Sequence, residues 1–144
     1  MGRPVGVATF TERGAGLTIE LSVRNLFEGV KAVHIHEIGT CVGPGFESAG
    51  EHFNPHRRQH GLKNPSGPHA GDLPNLVVSE MGRGRLTFTT SLLTLRGRGD
   101  ALLGGDGTAV VVHAGTDDET TDPSGRSGGR LACGVIVPAA PRRS

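Results

Sequence analysis

Seven histidines occur in the 144 residues of the chain, and six of them fall in patterns that suit metal binding. His34 and His36 are one residue apart within an apolar, β-branched run. Side chains at such positions on a strand point to the same face, about 6.5–7 Å apart at the backbone. Two imidazole nitrogens on one rigid face suit a transition metal. His113 ends another apolar run and could reach the same ion.

A second group of donors consists of three histidines and one carboxylate, namely His52, His60, His69 and Asp72. Three imidazoles and a carboxylate satisfy tetrahedral zinc and leave no coordination position open. Zinc bound in this way contributes folding energy to the segment that carries its ligands. The seventh histidine, His56, stands beside Arg57 and Arg58, and we interpret it as a surface residue.

The elements that must position these donors are predicted to be short β-strands. Leu17, Ile19, Leu21 and Val23 alternate with polar residues, which is typical of a half-buried strand. Further strands are predicted at residues 5–10, 31–37, 85–90, 108–113 and 131–137. Glycine-rich turns separate them, and no helical period extends over ten residues. The pattern favours an antiparallel sandwich or barrel.

Residues 39–75 form a long segment without hydrophobic periodicity, rich in Gly, Pro, His and Asn. A loop of this length in a compact domain is usually either functional or disordered. Disorder is the simpler interpretation, but the density of histidines favours a metal-binding loop.

The two cysteines, Cys41 and Cys133, leave two interpretations open. Both could be buried free thiols, which behave as small apolar side chains. A disulfide between them would close a loop of about 93 residues, counted from 41 to 133, and would stabilise the fold by roughly 4–5 kcal/mol in the chain-entropy model. Spacing alone does not decide between them.

Composition excludes several classes of protein. Charged residues make up 20% of the chain and leave a net charge of +1, which argues against a nucleic-acid binder. No apolar run reaches the length of a membrane span, and the first ten residues predict no export signal. The length predicts a single domain, which we place at residues 4–138, with 139–144 as a frayed tail.

Five motifs follow one another along the chain: VHIHEIG, SAGEHFNPHRRQHG, PHAGDLPN, AVVVHAGTDD and GGRLACGVIV. In these motifs the sequence resembles the copper–zinc superoxide dismutases from about Val5 to Val137. The position of Cys41 directly after HEIGT is similar to the bacterial branch. The resemblance implies a Greek-key flattened β-barrel or sandwich with a long metal-binding loop. It also implies conversion of superoxide to oxygen and hydrogen peroxide by alternate reduction and oxidation of a copper ion, which a histidine bridges to zinc.

The resemblance assigns the ligands residue by residue. Copper would be held by four histidines, His34, His36, His52 and His113. Zinc would be held by His52, His60, His69 and Asp72, so that His52 bridges the two ions.

The resemblance assigns four further roles. Arg130 would attract the superoxide anion, and His52 would carry the proton that the second superoxide requires. Asp117 would accept N–H bonds from one histidine on each side and fix their orientation. Cys41 and Cys133 would form the disulfide that ties the loop to the barrel. A homodimer and a copper-delivery protein are the macromolecular partners that the resemblance raises.

The chain departs from the family pattern in two places. The usual first strand, which precedes the PVGVATF segment in most members, is missing. An upstream extension before Met1 would supply both that strand and an export signal. The disulfide and the bacterial pattern favour export in that case, and a cytoplasmic location otherwise. The segment at 118–130, which includes Ser124, is short and of mixed charge, which predicts weak long-range steering of the substrate.

Three other functions compete with dismutation. A non-enzymatic metal-binding relative would be marked by the loss of ligands or of Arg130. A zinc hydrolase requires an open zinc position and a carboxylate base nearby. A disulfide-linked binding module would leave the ordered set of ligands without explanation.

Overall fold

The computed structural model describes residues 3–97 and 99–139, and these residues fold almost entirely as short strands and loops. The strands are β1 (Gly6–Arg13), β2 (Gly16–Val23), β3 (Gly29–Lys31), β4 (Val33–His36), β5 (Leu76–Val78), β6 (Gly84–Thr90), β7 (Ala109–His113) and β8 (Arg130–Val135). A single turn of 3₁₀ helix spans Glu47–Ala49 among the described residues. The all-β prediction is confirmed.

The strands pair into three antiparallel sheets, in the orders β1-β2-β6, β3-β5 and β4-β7-β8. The predicted alternation in β2 is confirmed, because its four inward side chains expose at most 7% of their surface. Ile19 on β2, Ile35 on β4 and Val112 on β7 belong to one apolar core. The sheets therefore pack on a shared core as a flattened barrel.

The predicted strand at residues 31–37 is in fact two strands in different sheets. β3 pairs with β5, whereas β4 pairs with β7. The chain changes sheets at Ala32, whose N–H donates to Gly115 and whose carbonyl accepts from His113. β5 is not among the strands predicted from the sequence. It has only three residues, which are too few to show a period of two.

An apolar groove of about 1010 Å³ separates β1 from β8, with Phe10, Leu21, Val112 and Ile136 among its lining residues. β1 and β8 are edge strands of their sheets. β1 is the first strand of the described residues, and the family's additional first strand stays a prediction. Of the tail predicted at 139–144, only Ala139 is described, and the domain bounds stay a prediction.

The segment at 39–75 is an ordered loop that lies against the barrel. The N–H of Ile35 donates to the carbonyl of Gly71, and the N–H of Phe53 donates to that of Ile35. A disulfide joins Cys41 to Cys133 on β8, with 5.7 Å between the Cα atoms. The disulfide is thus the correct alternative for the cysteine pair. Nowhere in the described residues is there a helix long and apolar enough to cross a bilayer.

We expect the disulfide to contribute strongly to stability, because it links residues 92 positions apart. The chain-entropy model gives about 4.6 kcal/mol for a loop of this length. Urea unfolding of the oxidised protein and of a Cys41→Ser, Cys133→Ser double variant, both stripped of metal by a chelator, measures the difference. A loss below about 1 kcal/mol would contradict the expectation.

Candidate metal centre

Strand β4 presents two histidines on the face opposite the apolar core. Val33 and Ile35 point into the core, so His34 and His36 point the other way, and all four side chains are buried. β7 runs antiparallel to β4 and ends at His113, which is 3% exposed. The predicted alternation therefore brings three imidazoles to one surface of the sheet.

The long loop covers this surface and adds the remaining donors. Bridge pairing places His52 beside His36 and Asp72 beside His34. The covering loop explains why β4 is buried on both faces although it lies in a sheet of only three strands.

The predicted copper ligands converge. One ligand atom from each of His34, His36, His52 and His113 lies within 4.8 Å of the others. The ring centroids of His34 and His113 are 4.7 Å apart, and those of His36 and His52 are 4.9 Å apart.

The predicted zinc ligands converge on one oxygen of Asp72. Its Oδ1 lies 2.9 Å from Nδ1 of His60, 3.2 Å from Nδ1 of His52 and 3.5 Å from Nδ1 of His69. Ligand atoms around a tetrahedral ion with bonds of about 2.0 Å are roughly 3.3 Å apart. A ligand atom of His34, and none of His69, lies within 4.8 Å of all those of His52, His60 and Asp72. We assign His34 to the copper set because it also lies within 4.8 Å of His36 and His113.

Ring orientation supports the fit to two metals. His34 and His60 direct Nε2 to the carboxylate of Asp117, each at 2.7 Å. His36 donates Nδ1–H to the carbonyl of Gly50 at 2.8 Å, and His113 donates Nδ1–H to that of Gly128 at 3.2 Å. In each ring, one nitrogen has a protein acceptor, and the other is left free.

The atoms left free are the ones that metals would need. Six buried ligand atoms have no hydrogen-bond partner: His34 Nδ1, His36 Nε2, His52 Nε2, His60 Nδ1, Asp72 Oδ1 and His113 Nε2. A buried polar atom without a partner costs on the order of 1–3 kcal/mol. Six of them within two converging groups fit a pair of bound cations, so the residues present suit copper and zinc.

Asp117 is held by contacts of its own. Its N–H donates to Oδ1 of Asn75, and its carbonyl accepts from Nδ2 of Asn75. Gly125 has a φ of +69°, and a Cβ there would collide with Oδ1 of Asp117. Only glycine lets the backbone approach the carboxylate this closely.

Burial keeps the copper-side imidazoles neutral, which is the form that binds metal. It lowers the pKa of His34 and of His36 to about 3, and that of His113 to about 4. The positive charge of Arg130 acts in the same direction on His36 and His113.

On the zinc side, in the absence of metal, the pKa of one histidine is raised rather than lowered. Burial alone would lower the pKa of His60, but its hydrogen bond to Asp117 and the negative charge of Asp72, whose Oδ1 lies 2.9 Å from Nδ1, raise it to about 9. Burial alone would raise the pKa of both carboxyls. The imidazoles of His52 and His60 close to Asp72 nevertheless hold the pKa of Asp72 far below its usual range, and hydrogen bonds from His34 and His60 do the same for Asp117.

Arg130 lies at the start of β8 beside the copper set. Its Nη1 donates to the carbonyl of Phe46 at 2.8 Å, and its Nη2 donates to that of Gly50 at 2.7 Å. The carbonyl of Gly50 thus orients both Arg130 and His36.

Some contributors have no signal in the sequence. The carbonyls of Gly50 and Gly128 orient histidines through main-chain atoms that any residue carries. Asp122 accepts the N–H of His60 at 2.8 Å, although it stands in the short loop that sequence reasoning treated only as a source of charge. Ser124 in the same loop is half-buried, and His56 is exposed.

The fold and the two groups define a protein with a two-metal centre built from imidazoles and one carboxylate. A family model described as copper/zinc superoxide dismutase matches residues 5–136. A Cu-Zn superoxide dismutase of Aquifex aeolicus is 43% identical over 137 residues, which cover 94% of this chain and 81% of the relative. One from Caulobacter vibrioides is 41% identical over 138 residues, with 94% and 79% covered.

A comparison with solved structures supports the same family. A crystal structure of a SOD-like protein from Bacillus subtilis matches with a TM-score of 0.89 and 41% identity, covering 94% of this chain and 92% of that one. The chain belongs to the copper/zinc superoxide dismutase family. Its relatives include bacterial proteins, as the position of Cys41 predicts.

The pKa shifts predict that the metal-free protein is most stable near pH 6.5. Folded-state pKa values of about 3 to 4 for three histidines mean that stability is lost as the pH falls below 6.5, because the unfolded chain binds more protons. The pKa of about 9 for His60 means that its contribution is lost as the pH rises from 6.5 through 9. Urea midpoints of chelator-treated protein from pH 4.5 to 9.5 measure this. A urea midpoint that rises steadily from pH 4.5 to pH 9.5 would contradict the predicted maximum near pH 6.5.

Proposed function

We propose that the protein dismutes superoxide with bound copper and zinc. Two superoxide anions and two protons give one dioxygen and one hydrogen peroxide, so one anion loses an electron and the other gains it. The observation that carries this proposal is the position of His52 between the two groups. Its Nδ1 faces Asp72 and His69, each at 3.2 Å, while its buried Nε2 has no protein partner and belongs to the copper set.

The same contacts support the ligand roles proposed from the sequence. His34, His36, His52 and His113 would hold copper, and His52, His60, His69 and Asp72 would hold zinc. When bound, copper supplies a one-electron redox change at a site of imidazole donors, and zinc supplies a fixed positive charge.

Arg130 binds the substrate anion. A guanidinium is always charged and offers a fork of N–H donors that suits a small anion. Two of its nitrogens donate to Phe46 and Gly50, so the side chain is fixed before the anion arrives. A fixed donor loses little entropy on binding.

His52 moves a proton at Nε2. Burial is the largest influence on the pKa of His52 and lowers it, so the metal-free ring is neutral. Asp72 and His69 hold the Nδ1 side of the ring in place. The ring thus delivers a proton to the reduced anion from a constant position.

The competing functions fit the site less well. All seven ligands and Arg130 are present, whereas a non-enzymatic relative would be marked by their loss. A hydrolase needs a free carboxylate base, but Asp72 belongs to the zinc set and Asp117 bonds two histidines. A binding module without chemistry would leave the buried, partnerless ligand atoms unexplained. The homodimer and the copper-delivery protein stay predictions.

We expect the two metal sets to be separable. His113→Ala removes one copper ligand that has no contact with Asp72, and should reduce dismutation by more than about 100-fold while zinc stays bound. Asp72→Ala should release zinc and leave copper reducible, because His34, His36 and His113 keep their acceptors. Metal content by mass spectrometry and superoxide consumption on the same samples test both. Full activity in His113→Ala, or the absence of both metals from the wild type, would overturn the proposal.

Arg130→Ala should slow the reaction about tenfold, equivalent to roughly 1.4 kcal/mol of lost anion stabilisation. Arg130→Lys should recover part of the rate, because the charge remains although the fork is lost. Arg126→Gln is the matched control, since Arg126 is an exposed arginine of the same loop. Activity against ionic strength, with copper content verified, is the measurement. A steep salt dependence that persists without Arg130 would show that other cations guide the anion.

A further inference from the structure

Asp122 contacts two members of the zinc set from outside the ligand motifs. Its Oδ1 accepts the main-chain N–H of His60 at 2.8 Å, across 62 residues of sequence. The same oxygen lies 3.7 Å from Nε2 of His69. One carboxylate oxygen therefore faces residues from two parts of the long loop.

These contacts differ from those of Asp117. Asp117 bonds the rings of His34 and His60 through their Nε2 atoms. Asp122 instead bonds the main chain of His60 and faces the outer nitrogen of His69. The zinc side thus has a second outer carboxylate, which is independent of the one shared with the copper side.

The contact with His69 bears on which ring nitrogen carries the proton. Nδ1 of His69 lies 3.2 Å from Nδ1 of His52 and 3.5 Å from Oδ1 of Asp72, so Nδ1 is its metal-facing atom. It is available only when the proton sits on Nε2. A separation of 3.7 Å is too long for a direct hydrogen bond, but a negative charge at that distance still favours a proton on Nε2.

We propose that Asp122 is a positioning residue for zinc, which fixes the main chain at His60 and favours the His69 tautomer with a free Nδ1. This rests on the proposed zinc set. Asp122 acts through the ligands and touches neither the substrate nor the metal.

The surrounding contacts show that Asp122 is not a packing residue. Its side chain is 53% exposed, so its loss opens no cavity in the core. The two segments also meet where Lys63 N–H donates to Glu119 O at 2.9 Å and where Asn64 Nδ2 donates to Thr120 O at 3.1 Å. These bonds remain when Asp122 is replaced, and the variants should therefore fold.

The test is zinc affinity, measured by chelator competition on the full chain loaded with zinc. Asp122→Asn keeps an oxygen for the His60 N–H but removes the charge, and should weaken zinc binding about tenfold. Asp122→Ala removes both and should weaken it by about 10–100-fold. Asp122→Glu should recover part of the affinity. In ¹⁵N NMR of the histidine rings, Asp122→Asn should shift the Nε2–H signal of His69 more than that of His60.

Asp118→Asn is the matched control. Asp118 is an exposed carboxylate of the same loop, and its bonds are to Thr120 and Thr121. Wild-type zinc affinity in Asp122→Ala, or an equal loss in Asp118→Asn, would overturn the proposal. Both readouts are independent of superoxide consumption. A chain that binds zinc with the predicted pattern but consumes no superoxide would therefore contradict only the proposed function.

Discussion

The carboxylate of Asp117 accepts one hydrogen bond from His34 and one from His60, and the geometry of the site depends on this pair of bonds. His34 lies on β4, His60 on the long loop, and Asp117 on the loop that leads to β8. Because each ring gives Nε2 to Asp117, each turns Nδ1 inward. One buried charge therefore orients a ring in both metal sets and ties two loops to the barrel.

Polar contacts make a large contribution to the order of the long loop. It has no apolar period, but Ala70 and Leu73 lie in the apolar core and Phe53 packs against it. The disulfide, main-chain bonds to β4 and buried ligands hold the loop as well. Asp72 illustrates this, since its Oδ2 accepts the N–H groups of Gly61 and His69 while its Oδ1 faces three imidazoles. Metal binding should therefore add to the stability of this loop.

The copper side joins substrate binding to the same framework. The carbonyl of Gly50 accepts from His36 and from Arg130, so a copper ligand and the anion-binding group share one acceptor. The disulfide at Cys41 lies in the same loop, nine residues before Gly50, and Arg130 lies three residues before Cys133. A covalent link and two hydrogen bonds therefore fix the distance between the anion site and the copper histidines, which a small substrate requires.

The sequence by itself determined which donors are present, their order, and the strands that carry three of them. Alternation identified β2 and placed His34 and His36 on one face, because side-chain direction on a strand follows from position alone. The sequence did not determine which nitrogen of each ring faces a metal. That choice depends on acceptors such as Asp117, which is 83 residues from His34, and on carbonyls that every residue has. The tertiary structure also decided the pairing of Cys41 with Cys133, the change of sheet at Ala32 and the place of Asp122. Each depends on contacts between residues distant in sequence, which local spacing does not encode.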